Sequence, residues 1–210
     1  MSGIWLRRLG VMAAAFVLQA AVLKAALLAN PEQAPARPSL AGQLLVASPE
    51  MGDPRFERTV ILIVQHGPAG ALGIVINKPV GEQPLASVFE ALGHKGDDVA
   101  GKVRVFAGGP VQPEVGFVVH GPDYHRPDTV TINDRLSMTS SIEILRDIGR
   151  QKGPAKILVA FGYAGWGPDQ LEGEIEARAW GVAEADPTLV FDEDRDQVWN
   201  DAWRRRTQNL

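Results

Sequence analysis

Thr59-Val60-Ile61-Leu62-Ile63-Val64-Gln65, then His66-Gly67-Pro68-Ala69-Gly70, then Ala71-Leu72-Gly73-Ile74-Val75-Ile76: the reading of this run decides the fold class. The first segment is almost wholly apolar and rich in β-branched side chains, which suits a strand covered on both faces. Two glycines in the connection fit a hairpin loop, and the apolar run after it returns as the second strand.

Working outward, Gln43–Ala47 reads as a preceding strand, and Asp53-Pro54 places a capping carboxylate before a proline at the first position of a short helical turn. Downstream, Leu85, Val88, Phe89 and Leu92 have helical spacing, and Gly93 ends that helix. Strands at Val103–Ala107 and Gly116–His120 flank Gly108-Gly109-Pro110, and Thr129–Ile132 leads into a polar turn at Asn133-Asp134. Ser140-Ser141-Ile142-Glu143 fits a capping box opening a helix with Ile142, Leu145 and Ile148 on its buried stripe. Lys156–Phe161 is an apolar strand, Pro168-Asp169 opens a helix through Leu171 and Ile175, and Trp180–Ala183 is a short strand. In the tail, Glu193–Arg206, Val198, Trp199 and Trp203 recur at helical spacing beside three arginines. Hairpins mixed with two or three helices define an α+β domain with a mixed sheet, and the absence of regular strand–helix alternation disfavours a doubly wound fold.

With 210 residues and 45% apolar content, the chain suits one domain, or one domain plus an appendage, and can bury a proper core. A net charge of −4 disfavours direct nucleic-acid binding, which usually calls for a basic surface. The chain has no cysteine, which removes disulfides, thiol nucleophiles and Cys-based metal sites.

Residues 1–38 differ from the rest. Arg7 and Arg8 precede the apolar run Leu9–Leu23, Lys24 interrupts, Ala25–Ala29 is apolar again, and Pro31–Pro38 is a Pro- and Ala-rich linker. A basic start before an apolar centre resembles a signal peptide, and membrane contact would run through residues 4–29. A surface helix and an over-extended start are the alternatives. Residues 39–210 are the folded domain.

The segments Pro49–Phe56, His66–Pro79, Gly108–His120 and Gly162–Glu174 with Trp180, in this order, resemble the YqgE/AlgH family of small bacterial proteins over about residues 40–206. The resemblance implies a compact single domain built on a mixed, partly barrel-like sheet with flanking helices. It also implies a cytoplasmic protein with a proposed role in regulating gene expression, notably of exopolysaccharide synthesis, and no securely attached catalytic activity. Members usually begin near residue 38, so the N-terminal stretch is a departure, and export or membrane anchoring is the alternative localisation.

Several residues invite chemistry. His66 ends a buried strand beside a glycine-rich turn, where an imidazole can act as general base or ligand, or cap the turn by bonding to backbone. Asn77-Lys78-Pro79 ends the neighbouring strand, and Lys78 could hold an anion or simply be solvated. Gly108 and Gly109 present either a nest of N–H groups or a tight sheet turn; the lysine and hydroxyl of a phosphate-binding loop are missing. His120 and His125 bracket Asp123 on a proline-containing loop, which matches no standard zinc pattern. Tyr163, Trp166 and Gln170 lie in Gly162–Leu171, where glycines, aromatic rings and a following helix start could form a pocket or seat a core plug.

These features support a binding or regulatory module whose stiff turns gather at one rim and recognise a small ligand or a protein partner, with no cofactor or metal. The competing class is a hydrolase using His66 or His120 as base, with Asp53 or Asp123 to orient it. Contact with DNA through Arg204–Arg206, Trp199 and Trp203 is a weaker third reading.

Overall fold

In the computed structural model, residues 38–96, 99–191 and 194–207 are described, and the N-terminal apolar segment and its linker up to residue 37 lie outside them. The strands are β1 (Gln43–Ala47), β2 (Val60–Gly67), β3 (Gly70–Val75), β4 (Pro79–Pro84), β5 (Lys102–Ala107), β6 (Val111–His120), β7 (Val130–Thr131), β8 (Ser137–Thr139), β9 (Ile157–Trp166) and β10 (Trp180–Glu184). The helices are α1 (Leu85–Ala91), α2 (Ile142–Gly149), α3 (Gln170–Glu176), α4 (Pro187–Phe191) and α5 (Arg195–Arg205), with a 3-10 turn at Pro54–Phe56.

The hairpin β2–β3 is antiparallel and closes at Gly67↔Gly70. Its apolar residues alternate between two cores, as a strand buried on both faces requires. Val60, Leu62 and Val64 join Leu44, Val46, Ile74 and Ile76 beneath Leu189 and Val190 of α4 and Val198, Trp199 and Ala202 of α5. Ile61 and Ile63 point the other way, with Leu45, Ala47 and Val75, toward Trp166, Leu171, Trp180 and Val182. Ile61, Leu62 and Ile63 are all fully buried, and each is worth about 1.5–3 kcal/mol of burial. A charge at any of the three would break the domain. A third core sets Leu85, Val88 and Phe89 of α1 and Ile144 and Leu145 of α2 against β5, β6 and β9.

The sheet runs β10-β1-β2-β3-β9-β6-β8-β7, with β4 attached through β5 to β9. Every pairing is antiparallel except β5 with β9. The sheet is therefore mixed, and it curls into a half-barrel flanked by five helices, an α+β fold. From Ser39 onward the described residues form one compact unit. No helix among them is long and apolar enough to cross a membrane.

Several elements depart from the sequence reading. Strand β9 continues through Gly162–Trp166, because Gly162 takes a left-handed φ of +75° that redirects the strand without ending it. Strand β4 contains prolines at both ends; it is an edge strand whose one partner is β5, and an edge tolerates a missing N–H. Strand β6 begins earlier, at Val111, and is interrupted by a register shift before Gly116. The cap of α2 is Ser141, not Ser140, and its Oγ accepts the Glu143 N–H at 3.3 Å. One residue of offset leaves Glu143 unable to reach back, and its carboxylate meets Arg146 at 3.5 Å instead, so no capping box forms.

Candidate functional site

The turn at Pro54–Phe56 forms as its sequence requires. Asp53 caps it, its Oδ1 accepting the Arg55 N–H at 2.9 Å, and the Arg55 guanidinium closes on the same carboxylate at 2.6 Å. The Arg55 side chain, followed by its backbone N–H, holds the Asp53 carboxyl below its ordinary value. Beneath this turn, Asn77 replaces a piece of sheet ladder. Its Oδ1 accepts the Val60 N–H at 2.8 Å, and its Nδ2 donates to the Arg58 carbonyl at 2.8 Å. Lys78 Nζ donates to the Arg55 carbonyl at 2.8 Å, and burial lowers its ammonium pKa against the attraction of Glu57. Asn77 and Lys78 thus hold two carbonyls of the Pro49–Arg58 loop, whose exposed arginines are themselves braced, Arg55 on Asp53 and Arg58 over the Trp199 ring at 4.4 Å and on Asn200 at 3.3 Å.

His66 lies at the other end of the hairpin, paired with Ala71, which in turn pairs with Trp166. Six residues of β2, roughly 20 Å at the strand rise, separate it from Val60, where Asn77 is bonded. Its side chain is 5% exposed. Nδ1 accepts the Leu40 N–H at 3.1 Å, so the proton sits on Nε2, which donates to Glu172 Oε1 at 2.9 Å. The ring ties the chain entering the domain to α3 and keeps no lone pair for a substrate.

Trp166 is 7% exposed and faces Trp180 edge-on, with centroids 6.1 Å apart. Both indoles donate to Glu174 Oε2, at 2.9 and 2.7 Å. Gln170 completes the cluster: its Nε2 donates to Glu174 Oε1 at 2.9 Å and its Oε1 accepts the Gly167 N–H at 3.1 Å. Glu172 and Glu174 were missed in the sequence. The available signal was that a buried indole N–H needs an acceptor, and α3 lies between the two tryptophans in the chain.

Gly108 and Gly109 sit where the end of β5 crosses β9. The Gly108 N–H donates to the Phe161 carbonyl at 2.7 Å and its carbonyl accepts the Val75 N–H at 2.8 Å. A Cβ on Gly108 would overlap the Gly162 carbonyl oxygen, and one on Gly109, at φ +154°, would overlap the Tyr163 backbone. The segment is a close backbone crossing, with its first N–H spent inside the sheet. Tyr163 packs edge-on against Phe117 at 6.1 Å.

His120 is fully buried, Nδ1 donating to the Gly121 carbonyl at 2.7 Å and Nε2 facing the Thr139 hydroxyl at 2.9 Å. Asp123 accepts the Ala155 N–H at 2.7 Å. Among the described residues, no group of three or more His, Asp or Glu side chains could hold a metal. The tail arginines are also committed: Arg204 pairs with Asp201, Arg205 meets Asp186 at 3.0 Å, and Arg206 lies over the Trp203 ring at 3.7 Å.

The sequence-derived residues therefore occupy three places. His66, Trp166 and Gln170 meet at α3; Gly108, Gly109 and Tyr163 meet at the β5–β9 crossing; Asn77 and Lys78 support the Pro49–Arg58 loop. A single rim does not form, because the β2–β3 hairpin holds His66 and Asn77 at its opposite ends.

This is a curled-sheet α+β domain whose conspicuous polar side chains brace its own turns. The family model described as AlgH-like matches residues 44–210. A UPF0301 protein of Cereibacter sphaeroides (strain ATCC 17029) is 44% identical over 161 residues, 76% of this chain and 88% of that one. A UPF0301 protein of Bradyrhizobium diazoefficiens is 40% identical over 183 residues, covering 81% and 86%. The solution structure of the AlgH protein from Pseudomonas aeruginosa matches with a TM-score of 0.69 and 35% identity, covering 84% of this chain and 92% of that one. The chain belongs to the AlgH-like, UPF0301 family.

Proposed function

We propose that the chain is a non-enzymatic binding or regulatory module, acting in the control of gene expression through a protein or small-molecule partner. One observation carries this reading: His66 and His120 both have their two ring nitrogens engaged in the domain's own hydrogen bonds. A general base needs a free lone pair beside its substrate. The hydrolase reading further asks for Asp53 or Asp123 to orient an imidazole by a hydrogen bond, whereas Asp53 serves Arg55, and Asp123, although near His120, serves the Ala155 N–H.

The recognition surface we assign is the Pro49–Arg58 loop, where two exposed arginines, pre-set by Asp53 and by Trp199 and Asn200, stand on a backbone fixed from below by Asn77 and Lys78. Fixing a loop before binding reduces the ordering entropy that binding must overcome. Complementation of a deletion strain tests the reading, with transcript abundance as readout and circular dichroism as the check on folding. The double variant Arg55→Glu, Arg58→Glu is expected to fold and to fail in regulation, and His66→Gln to regulate while folded. A folded single-imidazole variant that abolishes activity would overturn the proposal. We further propose a cytoplasmic location, a reading supported by the family resemblance alone; a periplasmic form beginning near residue 37 by N-terminal sequencing would overturn it.

A further inference from the structure

The corner where β6 meets β8 holds a chain of hydrogen bonds whose direction can be deduced. A carbonyl only accepts, so the proton on His120 Nδ1 points to Gly121. In the neutral ring Nε2 is then an acceptor, and the Thr139 hydroxyl donates to it at 2.9 Å. Thr139 Oγ1 in turn accepts from the Thr129 hydroxyl at 2.8 Å, and Thr129 Oγ1 accepts the Arg126 N–H at 2.9 Å. Every donor in this row has an acceptor, and His120 and Thr139 are fully buried.

We propose that this row is a proton-operated latch, in which uptake of one proton by His120 releases the segment from Gly121 to Thr129 from the sheet. A second ring proton must donate to Thr139, whose hydroxyl must then turn toward Thr129. The Thr129 hydrogen loses its acceptor, and a positive charge is placed on a fully buried ring. The buried charge, only partly compensated, favours opening, and the re-aimed Thr129 hydroxyl, half-buried at the edge of the segment, is satisfied best by turning out to water.

The groups facing the imidazole do not remove this cost. Asp123 favours the charged ring but is already held by the Ala155 N–H, and His125 opposes it. Tyr124 stands edge-on to the ring at 5.4 Å, with its hydroxyl on Asp147 Oδ2 at 2.8 Å. Arg126 binds the same Asp147 oxygen at 2.9 Å, so that carboxylate is neutralised by its own cation. On β8 the ring bonds Thr139 while the backbone of His120 pairs with Ser137, and on β9 that backbone pairs with Ile157, beside Lys156. Burial outweighs the Gly121 carbonyl bond and the attraction of Asp123, which both favour the charged ring, and holds it below its ordinary pKa, in agreement with the geometry.

Hydrogen exchange on the intact protein, expressed as protection factors so that the intrinsic pH dependence is removed, tests the latch. Between pH 8 and pH 5, protection of the Arg126 amide is expected to fall about tenfold or more, while Ile61 and Val75 in the central hairpin keep theirs. Thr139→Val removes the hydroxyl and is expected to leave Arg126 poorly protected at both pH values, with the pH dependence gone. Uniform loss of protection across the domain, or unchanged protection of Arg126 down to pH 5, overturns the proposal. So does a Thr139→Val protein that retains the wild-type pH response.

Discussion

Trp166 and Trp180 share one acceptor oxygen, Glu174 Oε2, although they come from different strands on either side of α3 in the chain. The shared carboxylate locks the helix to both strands. Glu174→Ala orphans two buried indole N–H groups, while the exposed Gln170 amide turns to water, and is expected to cost about 3 kcal/mol in urea denaturation. Glu174→Gln, which keeps an acceptor, should lose about 1 kcal/mol. Trp166→Ala should lose about 3–5 kcal/mol because the ring is buried. A stable Trp166→Ala protein that loses function would instead make that ring a recognition residue.

Asn77 is matched on both sides, by a donor at Val60 and an acceptor at Arg58. Asn77→Ala is expected to destabilise by about 2 kcal/mol. Asn77→Asp should be no better, because one carboxylate oxygen would face the Arg58 carbonyl. Equal midpoints for wild type and Asn77→Asp in guanidinium would contradict the orientation assigned to the amide.

At Gly109 the backbone has both a left-handed φ and no room for a Cβ. Gly109→Ala is expected to cost at least about 3 kcal/mol and to lower soluble expression. Gly52 provides the control, since a Cβ there meets nothing within 4 Å, and Gly52→Ala should leave the melting temperature almost unchanged.

Stability should also depend on pH in a predictable direction. Burial holds folded His120 below the ordinary imidazole value of 6.5, so the unfolded chain takes up a proton that the folded chain refuses. Stability is therefore complete above about pH 6.5 and declines as the pH falls below it. Asp186, held below 3.8 chiefly by the Thr188 N–H, loses its contribution only in stronger acid. Melting temperatures at pH 8, 7, 6 and 5 should be level for the first two and decline after, with the decline reduced in His120→Gln. A flat profile to pH 5 would falsify the assignment.

The α+β class and the central hairpin were legible because Val60–Val64 and Ile74–Ile76 carry a local, strongly apolar signal. The cap at Asp53 and the helix stripes at Leu85–Phe89 were legible for the same reason. What sequence could not show was long-range. Gly162 looks like a strand exit until Gly108 and Gly109 are known to cross it, and the prolines of β4 look like a break until its edge position is seen. Glu172 and Glu174 read as solvated helix charges because nothing local says that an imidazole and two indoles lie opposite them. The residues most suggestive of chemistry were conspicuous because the fold needs rigid polar fasteners there.

Strand β9 has a consequence for biosynthesis. It pairs with β3, β5 and β6, all made earlier, and joins the two sets of strands on either side of it. A nascent chain on the ribosome must therefore carry a hairpin greasy on both surfaces until α3, β10, α4 and α5, which cover its faces, have emerged. Contacts so distant along the chain close slowly. Chaperone demand should accordingly peak late in translation and fall only when the last helix has docked on the inserted sheet.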